Sequence, residues 1–118
     1  MQALIMVAHG SRVRASNDEV RLLTAALAAR VADRYQHTAT AFLELADPSI
    51  GAAIDAAVAA GAREVVILPY FLAAGAHVAR DIPAIVQERQ VAHPTITIRL
   101  ADYLGKLPGL VELLASSV

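Results

Sequence analysis

An α/β fold is predicted: one four-stranded parallel sheet of strand order 2-1-3-4, with helices on both faces. Three observations predict it. Four short runs rich in apolar and β-branched residues alternate with four segments of helical periodicity. The first run, ALIMVA at residues 3–8, is apolar throughout, as expected of a strand buried on both faces. The chain of 118 residues is long enough for one domain, 1–118, with one modest core. Right-handed crossovers and a reversal after the second strand then give the order 2-1-3-4.

The elements follow in sequence. After the first strand and the loop HGSRVRA, Ser16 and Glu19 have capping-box spacing. Val20, Leu23, Leu27 and Val31 recur at helical intervals and predict a helix of about 18 residues. TATAFLEL, residues 38–45, is rich in β-branched and aromatic residues and reads as the second strand. Asp47 and Pro48 resemble an N-cap followed by proline at the first helical position. Ile50, Ile54, Ala57 and Val58 share one face of that second helix, and Gly61 is placed to end it. EVVILPYFL is the third strand, limited by Pro69, and AAGAHVARD is a loop or the start of a helix. Asp81 and Pro83 open a third helix carrying Ile82, Ile85 and Val86. TITIRLA is the fourth strand, and residues 108–115 close the chain as a helix with Leu110, Val111 and Leu114.

Composition narrows the function classes. With 57% hydrophobic and 18% charged residues the chain is globular rather than disordered. A net charge of −1 gives no global positive field for nucleic acid, so attraction for an anionic ligand must be local. The absence of cysteine excludes disulfides, iron–sulfur clusters and thiol catalysis, and it fits a reducing compartment. MQALIMVAH has no basic leader, and no apolar run approaches the roughly 20 residues that span a bilayer. A soluble, cytoplasmic protein with no nucleic-acid or membrane partner is expected.

The predicted strand order decides where chemistry sits. Ligands of open α/β sheets bind outside the carboxyl ends of the strands, at the switch point, here between strands 1 and 3. His9 ends strand 1 on one side of that crevice, and the loop after strand 3 ends at His77 on the other. Glu44, at the end of strand 2, reaches the same edge. Two imidazoles and a carboxylate suit a divalent ion such as iron, cobalt or nickel, and a neutral imidazole also accepts protons.

Each residue also has a plainer reading. A histidine at a strand end is commonly a hydrogen-bonded structural residue, but the Gly-Ser-Arg that follows His9 and its crevice position favour function. Gly10 and Gly75 serve equally well as turn residues needing positive φ. Arg12 and Arg14 suit either solvent or an anion. Glu44, between AFL and LAD, is expected near burial and in need of a partner. Tyr70, Phe71 and Leu72 divide between core and an apolar lip, and LAAGA leaves room for a flat ligand against the backbone. His37 and His93 sit at turns and are bystanders.

Three stretches together carry a family resemblance: HGSR after strand 1, FLELADPSI around Glu44, and LPYFLAAGAHVARDIP after strand 3. In this order and spacing the chain resembles the small sirohydrochlorin chelatases of the CbiX type over nearly its whole length. HPTITIRLADYLG is a looser match.

The resemblance implies a chelatase-like half-domain that inserts a divalent metal into sirohydrochlorin without ATP, a lyase of cobalamin or sirohaem biosynthesis. It implies that His9 is the proton acceptor and a metal ligand, and that His77 is the second metal-binding histidine. It assigns Glu44 to the acidic position of the catalytic site, and Ser11, Arg12, Glu44, Leu72, Ala73, Ala74, Gly75, Ala76 and His77 to the tetrapyrrole. No permanent cofactor is implied; Co²⁺, Fe²⁺ or Ni²⁺ is a substrate. The partners implied are sirohydrochlorin, the metal ion and a second copy of the chain in a homodimer. Guanidinium matches carboxylate in a bidentate fork, so Arg12, Arg14 and Arg80 are candidates for the substrate's peripheral carboxylates. The loop at 101–110 departs from the family pattern with Asp102, Tyr103 and Lys106, which bears on substrate choice.

Two other classes of protein use similar residues. Histidine phosphatases need an arginine immediately before the nucleophilic histidine, where this chain has Ala8, and the chain is short for that fold. A non-catalytic tetrapyrrole or metal carrier would use the same ligands, since a ligand set does not demonstrate turnover.

Overall fold

A computed structural model describes the backbone of all 118 residues and every side chain except that of His77. Strand β1 (Gln2–Ala8) has six buried residues after an exposed Gln2, because neighbours cover both its faces. It pairs in parallel with β2 (His37–Phe42) on one side and β3 (Glu64–Pro69) on the other. Strand β4 (Thr97–Leu100) pairs with β3, completing the expected order β2-β1-β3-β4.

The two faces are covered unequally. On one, Ala3, Ile5 and Val7 of β1 join Val65 and Ile67 of β3 against helix α2 (Ile50–Ala59) and helix α3 (Ile82–Ala92). Ile5, Ile54, Ile67 and Ile82 are fully buried there, each worth about 1.5–3 kcal/mol relative to exposure. On the other face Leu4 and Val66 meet Leu27 and Val31 at the end of helix α1 (Arg14–Arg30). Helix α4 (Leu110–Ser116) contributes no buried residue. That second face therefore keeps a groove of about 380 Å³ lined by Met6, Leu23, Leu68, Leu107 and Leu113.

Several boundaries differ from the sequence expectation. Ser16 and Glu19 form no capping box: α1 begins three residues earlier, and Val13 caps it without a side-chain bond. The loop's donors are satisfied instead by buried Asn17 and by the Ser11 hydroxyl. Ser49, not Asp47, caps α2, its hydroxyl accepting from the Ala52 amide at 3.2 Å. Pro48 stays outside the helix because its carbonyl accepts the Phe42 amide at 2.9 Å. Strand β2 stops at Phe42 rather than 45, whereas β3 ends at Pro69, the expected limit, which leaves 70–72 outside the strand. A π-helical turn, His77–Asp81, leads directly into α3. The closing helix starts only after Gly109, whose φ of 95° breaks the chain direction.

Candidate active site

His9 leaves the end of β1 at the carboxyl edge of the sheet. Beyond β2 the chain still follows β1 for two residues: the Leu43 amide donates to the Ala8 carbonyl at 2.9 Å, and the Glu44 amide to the His9 carbonyl at 3.0 Å. This backbone ladder sets Glu44 beside His9, and His9 Nε2 lies 2.8 Å from Glu44 Oε1. The histidine is 43% exposed and the carboxylate 54% exposed. The expectation that Glu44 nears burial is therefore corrected. Strand alternation ends at Phe42, so the AFL that precedes it does not carry Glu44 into the core. The need for a partner holds, and His9 meets it. An ionised carboxylate only accepts, so in the neutral ring Nε2–H donates to Glu44 and Nδ1 carries the lone pair.

Gly10 makes the approach possible. Its φ is +96°, and a Cβ there would stand 1.8 Å from the Glu44 carbonyl oxygen, a distance no side chain tolerates. Next, Asn17 on α1 closes the loop, accepting from the Ser11 amide at 2.9 Å and donating to the Ser11 carbonyl at 2.8 Å. Leu45, immediately after Glu44, holds φ at +65°. For a leucine this left-handed conformation costs about 1–3 kcal/mol and persists only where the surroundings impose it.

The opposite wall is the loop after β3. The Tyr70 amide donates to the Val7 carbonyl at 2.7 Å, which keeps this loop against β1 for one further residue. Tyr70 borders both a recess of about 240 Å³ with His9, Ser11 and Asn17 and a cleft of about 360 Å³ with Phe71, Leu72 and Leu104. Leu72 to Ala76 are exposed. Gly75 has no positive φ, and a Cβ there would meet nothing within 4 Å. The turn reading of Gly75 thus fails: its bareness is surface, available to a flat ligand. The backbone of His77 starts the π-turn after this loop, with the Ala79 amide donating to the Gly75 carbonyl at 2.9 Å. The His77 side chain, expected to bind metal, lies outside the described residues. Among the described residues no three histidine, aspartate or glutamate side chains gather into a metal cage.

The 3-10 turn Leu104–Lys106 packs on this loop, a contact the sequence reading missed. The Gly105 amide donates to the Phe71 carbonyl at 3.0 Å, and a Cβ at 105 would lie 1.8 Å from the Leu72 carbonyl oxygen. The segment with Asp102, Tyr103 and Lys106 therefore borders the cleft.

The arginines separate. Arg12 and Arg14 line an open polar recess of about 580 Å³ with Ser11, Asp18 and Arg21. Arg80 is largely exposed and lies 3.6 Å from Asp81. His37 starts β2, at the end of the sheet remote from His9. His93 binds Asp55 at 2.8 Å. His37 is therefore a strand residue rather than a turn residue, and His93 a partner of Asp55.

The CbiX family model matches residues 3–118 of the chain. The chain is 35% identical over 88 residues to the sirohydrochlorin cobaltochelatase of Methanocaldococcus jannaschii, a match covering 73% of this chain and 59% of that protein. It is 30% identical over 104 residues to the sirohydrochlorin ferrochelatase of Bacillus subtilis, covering 88% of this chain and 39% of that protein. The fold superposes with a TM-score of 0.86 on the sirohydrochlorin chelatase SirB of Bacillus subtilis subspecies spizizenii in complex with cobalt, at 29% identity, over 98% of this chain and 48% of that one. The chain spans about half the length of these relatives. No helix among the described residues is long and apolar enough to cross a membrane.

Proposed function

Because the chain belongs to the CbiX family, we propose that it catalyses ATP-independent insertion of Co²⁺ or Fe²⁺ into sirohydrochlorin, on the route to cobalamin or sirohaem. Ni²⁺ is the third candidate metal. The observation that carries this reading is the His9–Glu44 pair, 2.8 Å apart and half open to solvent at the sheet edge from which the exposed loop 72–76 also leaves. Insertion strips water from the ion, binds the ion to four ring nitrogens and releases two pyrrole protons. Such a reaction needs a nitrogen base at the ring, a carboxylate able to move or hold a proton, and an apolar surface for the macrocycle.

His9 and His77 first replace water on the incoming metal; once the ion has passed to the ring nitrogens, the His9 lone pair this frees accepts a pyrrole proton. Glu44 orients the His9 ring through Nε2 and takes the second proton. Leu72, Ala73, Ala74, Gly75 and Ala76 lie against the ring plane, where small side chains let it approach the backbone. Ser11 and Arg12 hold peripheral carboxylates. The metal is a substrate, and no permanent cofactor is required.

The chain acts as one chelatase-like domain that pairs with a second copy. Exposed Val111, Leu113 and Leu114 of α4 beside the apolar groove support that pairing, because a two-fold interface needs a ridge and a groove on one patch. A cysteine-free chain suits the cytoplasm.

The test is anaerobic insertion of Co²⁺ and Fe²⁺ into purified sirohydrochlorin, followed by absorbance. Acceleration over the spontaneous rate by the wild type and not by His9→Ala supports a chelatase and ranks the metals. Tetrapyrrole binding without acceleration replaces it with a carrier.

A further inference from the structure

Glu44 sits on a loop, and more than half of its side chain is exposed. Its direction therefore depends on how firmly the backbone is held at both ends of the loop. The leading end is fixed to β1 through the Leu43 and Glu44 amides. The trailing end is tied to β2 at Pro48, whose carbonyl accepts the Phe42 amide at 2.9 Å, which leaves residues 45–47 between the two backbone ties. Among the described residues, no backbone bond from another element reaches residues 45–47. The one outside group that does is the Arg21 guanidinium, whose Nη2 donates to the Asp47 carbonyl at 3.0 Å.

Arg21 is itself fixed on three sides. Its Nη1 donates to Asp18 Oδ1 at 2.9 Å, one turn earlier on α1. Its Cζ stands 4.9 Å from the centroid of the buried Phe42 ring, at the end of β2. A guanidinium held by a carboxylate, a carbonyl and a ring face has little freedom left, so it is a rigid strut between α1 and the loop. The Glu44–Leu45 peptide lies between the two anchors. Its carbonyl rests against Gly10, and its amide belongs to left-handed Leu45. Releasing Asp47 would let this peptide turn, and Glu44 would lose its aim.

We infer that Arg21 is a positioning residue: by tying Asp47 and Phe42 to α1 it holds Glu44 at hydrogen-bond distance from His9. The inference rests on the chelatase reading for its kinetic consequence, and on geometry alone for its effect on the His9 ring.

The experiment uses the full chain, wild type, Arg21→Met, Arg21→Lys and Glu44→Gln. Two readouts are taken at one neutral pH: the ring-nitrogen signals of His9 by ¹⁵N NMR, and kcat and KM for Co²⁺ insertion into sirohydrochlorin. In Arg21→Met the His9 signals should move away from those of the wild type and toward those of Glu44→Gln. Insertion kcat should fall about tenfold, the range of losses when a group orienting an active-site histidine is removed, with KM unchanged. Arg21→Lys, which retains one donor for Asp47, should recover part of both.

Unchanged His9 signals in a folded Arg21→Met protein would overturn the inference, whatever the rate. A rise in KM alone would also overturn it and make Arg21 a substrate contact in the recess it shares with Arg12. If Arg21→Met does not fold, Arg21→Lys decides by the same His9 signals. If the wild type inserts no metal, the chelatase reading fails, and the His9 signals still decide the role of Arg21.

Discussion

His9 Nε2 stands 2.8 Å from Glu44 Oε1, joining two side chains 35 residues apart at the carboxyl edge of the sheet. Parallel pairing of β1 with β2 brings them together, and the ladder continues past β2 to the Glu44 amide. A pair positioned by backbone bonds should act as one unit. His9→Ala is expected to lower the insertion rate by about 10²–10⁴-fold, the usual contribution of a positioned base. Glu44→Gln should cost about 10–100-fold, as loss of an orienting partner does. The double variant should lose less than the product of the two single losses, because Glu44 acts in part through the His9 ring. Initial rates for the four proteins check this, and full additivity would mean that the two residues act separately.

Glycines 10, 75 and 105 separate packing from ligand contact. Gly10→Ala and Gly105→Ala each drive a Cβ to 1.8 Å from a carbonyl oxygen. Both should destabilise the fold by more than about 1 kcal/mol, within the range of backbone-strain variants. Gly75→Ala meets nothing within 4 Å and should change stability by less than about 0.5 kcal/mol. Its expected effect is on tetrapyrrole affinity, because a methyl group would stand on the surface offered to the ring. Urea unfolding and fluorescence-quenching titration measure the two effects independently.

Much of this arrangement was legible in the sequence. The apolar run at 3–8 placed β1 in the centre, and the switch point then put His9, Glu44 and the loop 72–77 on one edge without any contact being known. Legibility ended where a contact depended on register or on the path of a loop. Asn17 belongs to no motif in the sequence; its task is to close a loop six residues back on Ser11. Glu44 looked buried because its neighbours are apolar, an inference that needs β2 to continue two residues further than it does. Arg21 gave no signal, since Asp47 and Phe42 come within reach only once β2 lies beside β1 and α1 crosses over. Gly105 was equally silent, because its neighbour Leu72 belongs to a different strand's loop.

The apolar groove on the α1 face predicts an oligomer. Leu113 is largely exposed and lies at the groove edge with Leu23, Leu27 and Leu110. Leu113→Glu should convert a dimer of the wild type to a monomer, because a charge in the centre of a self-complementary apolar contact is desolvated twice, once in each copy. Sedimentation velocity over a range of concentrations checks it. A wild type that remains monomeric at the highest concentration would remove the homodimer from the proposal.

The α2–α3 contact should add a small share to the loss of stability in acid. Asp55 on α2 accepts from His93 Nε2 at 2.8 Å and from Arg89 Nη1 at 3.2 Å, while Arg89 also reaches Glu88. The hydrogen bond from His93, opposed by some desolvation and helped by the Arg89 guanidinium, holds the Asp55 carboxyl below the ordinary aspartate value. A carboxyl whose value is lower in the folded than in the unfolded chain stabilises the fold fully above the ordinary value. That contribution fades as the pH falls through the ordinary value and toward the depressed one, because the unfolded chain takes up the proton first. Since Asp55 is nearly half exposed, solvent screening limits the contribution to about 0–1 kcal/mol. Asp55→Asn should therefore lower stability slightly at neutral pH and flatten its decline in acid, with metal insertion at neutral pH little changed, since the pair lies away from His9. Urea unfolding of both proteins from neutral to acid pH measures the two slopes. Parallel slopes would show that carboxylates other than Asp55 account for that loss.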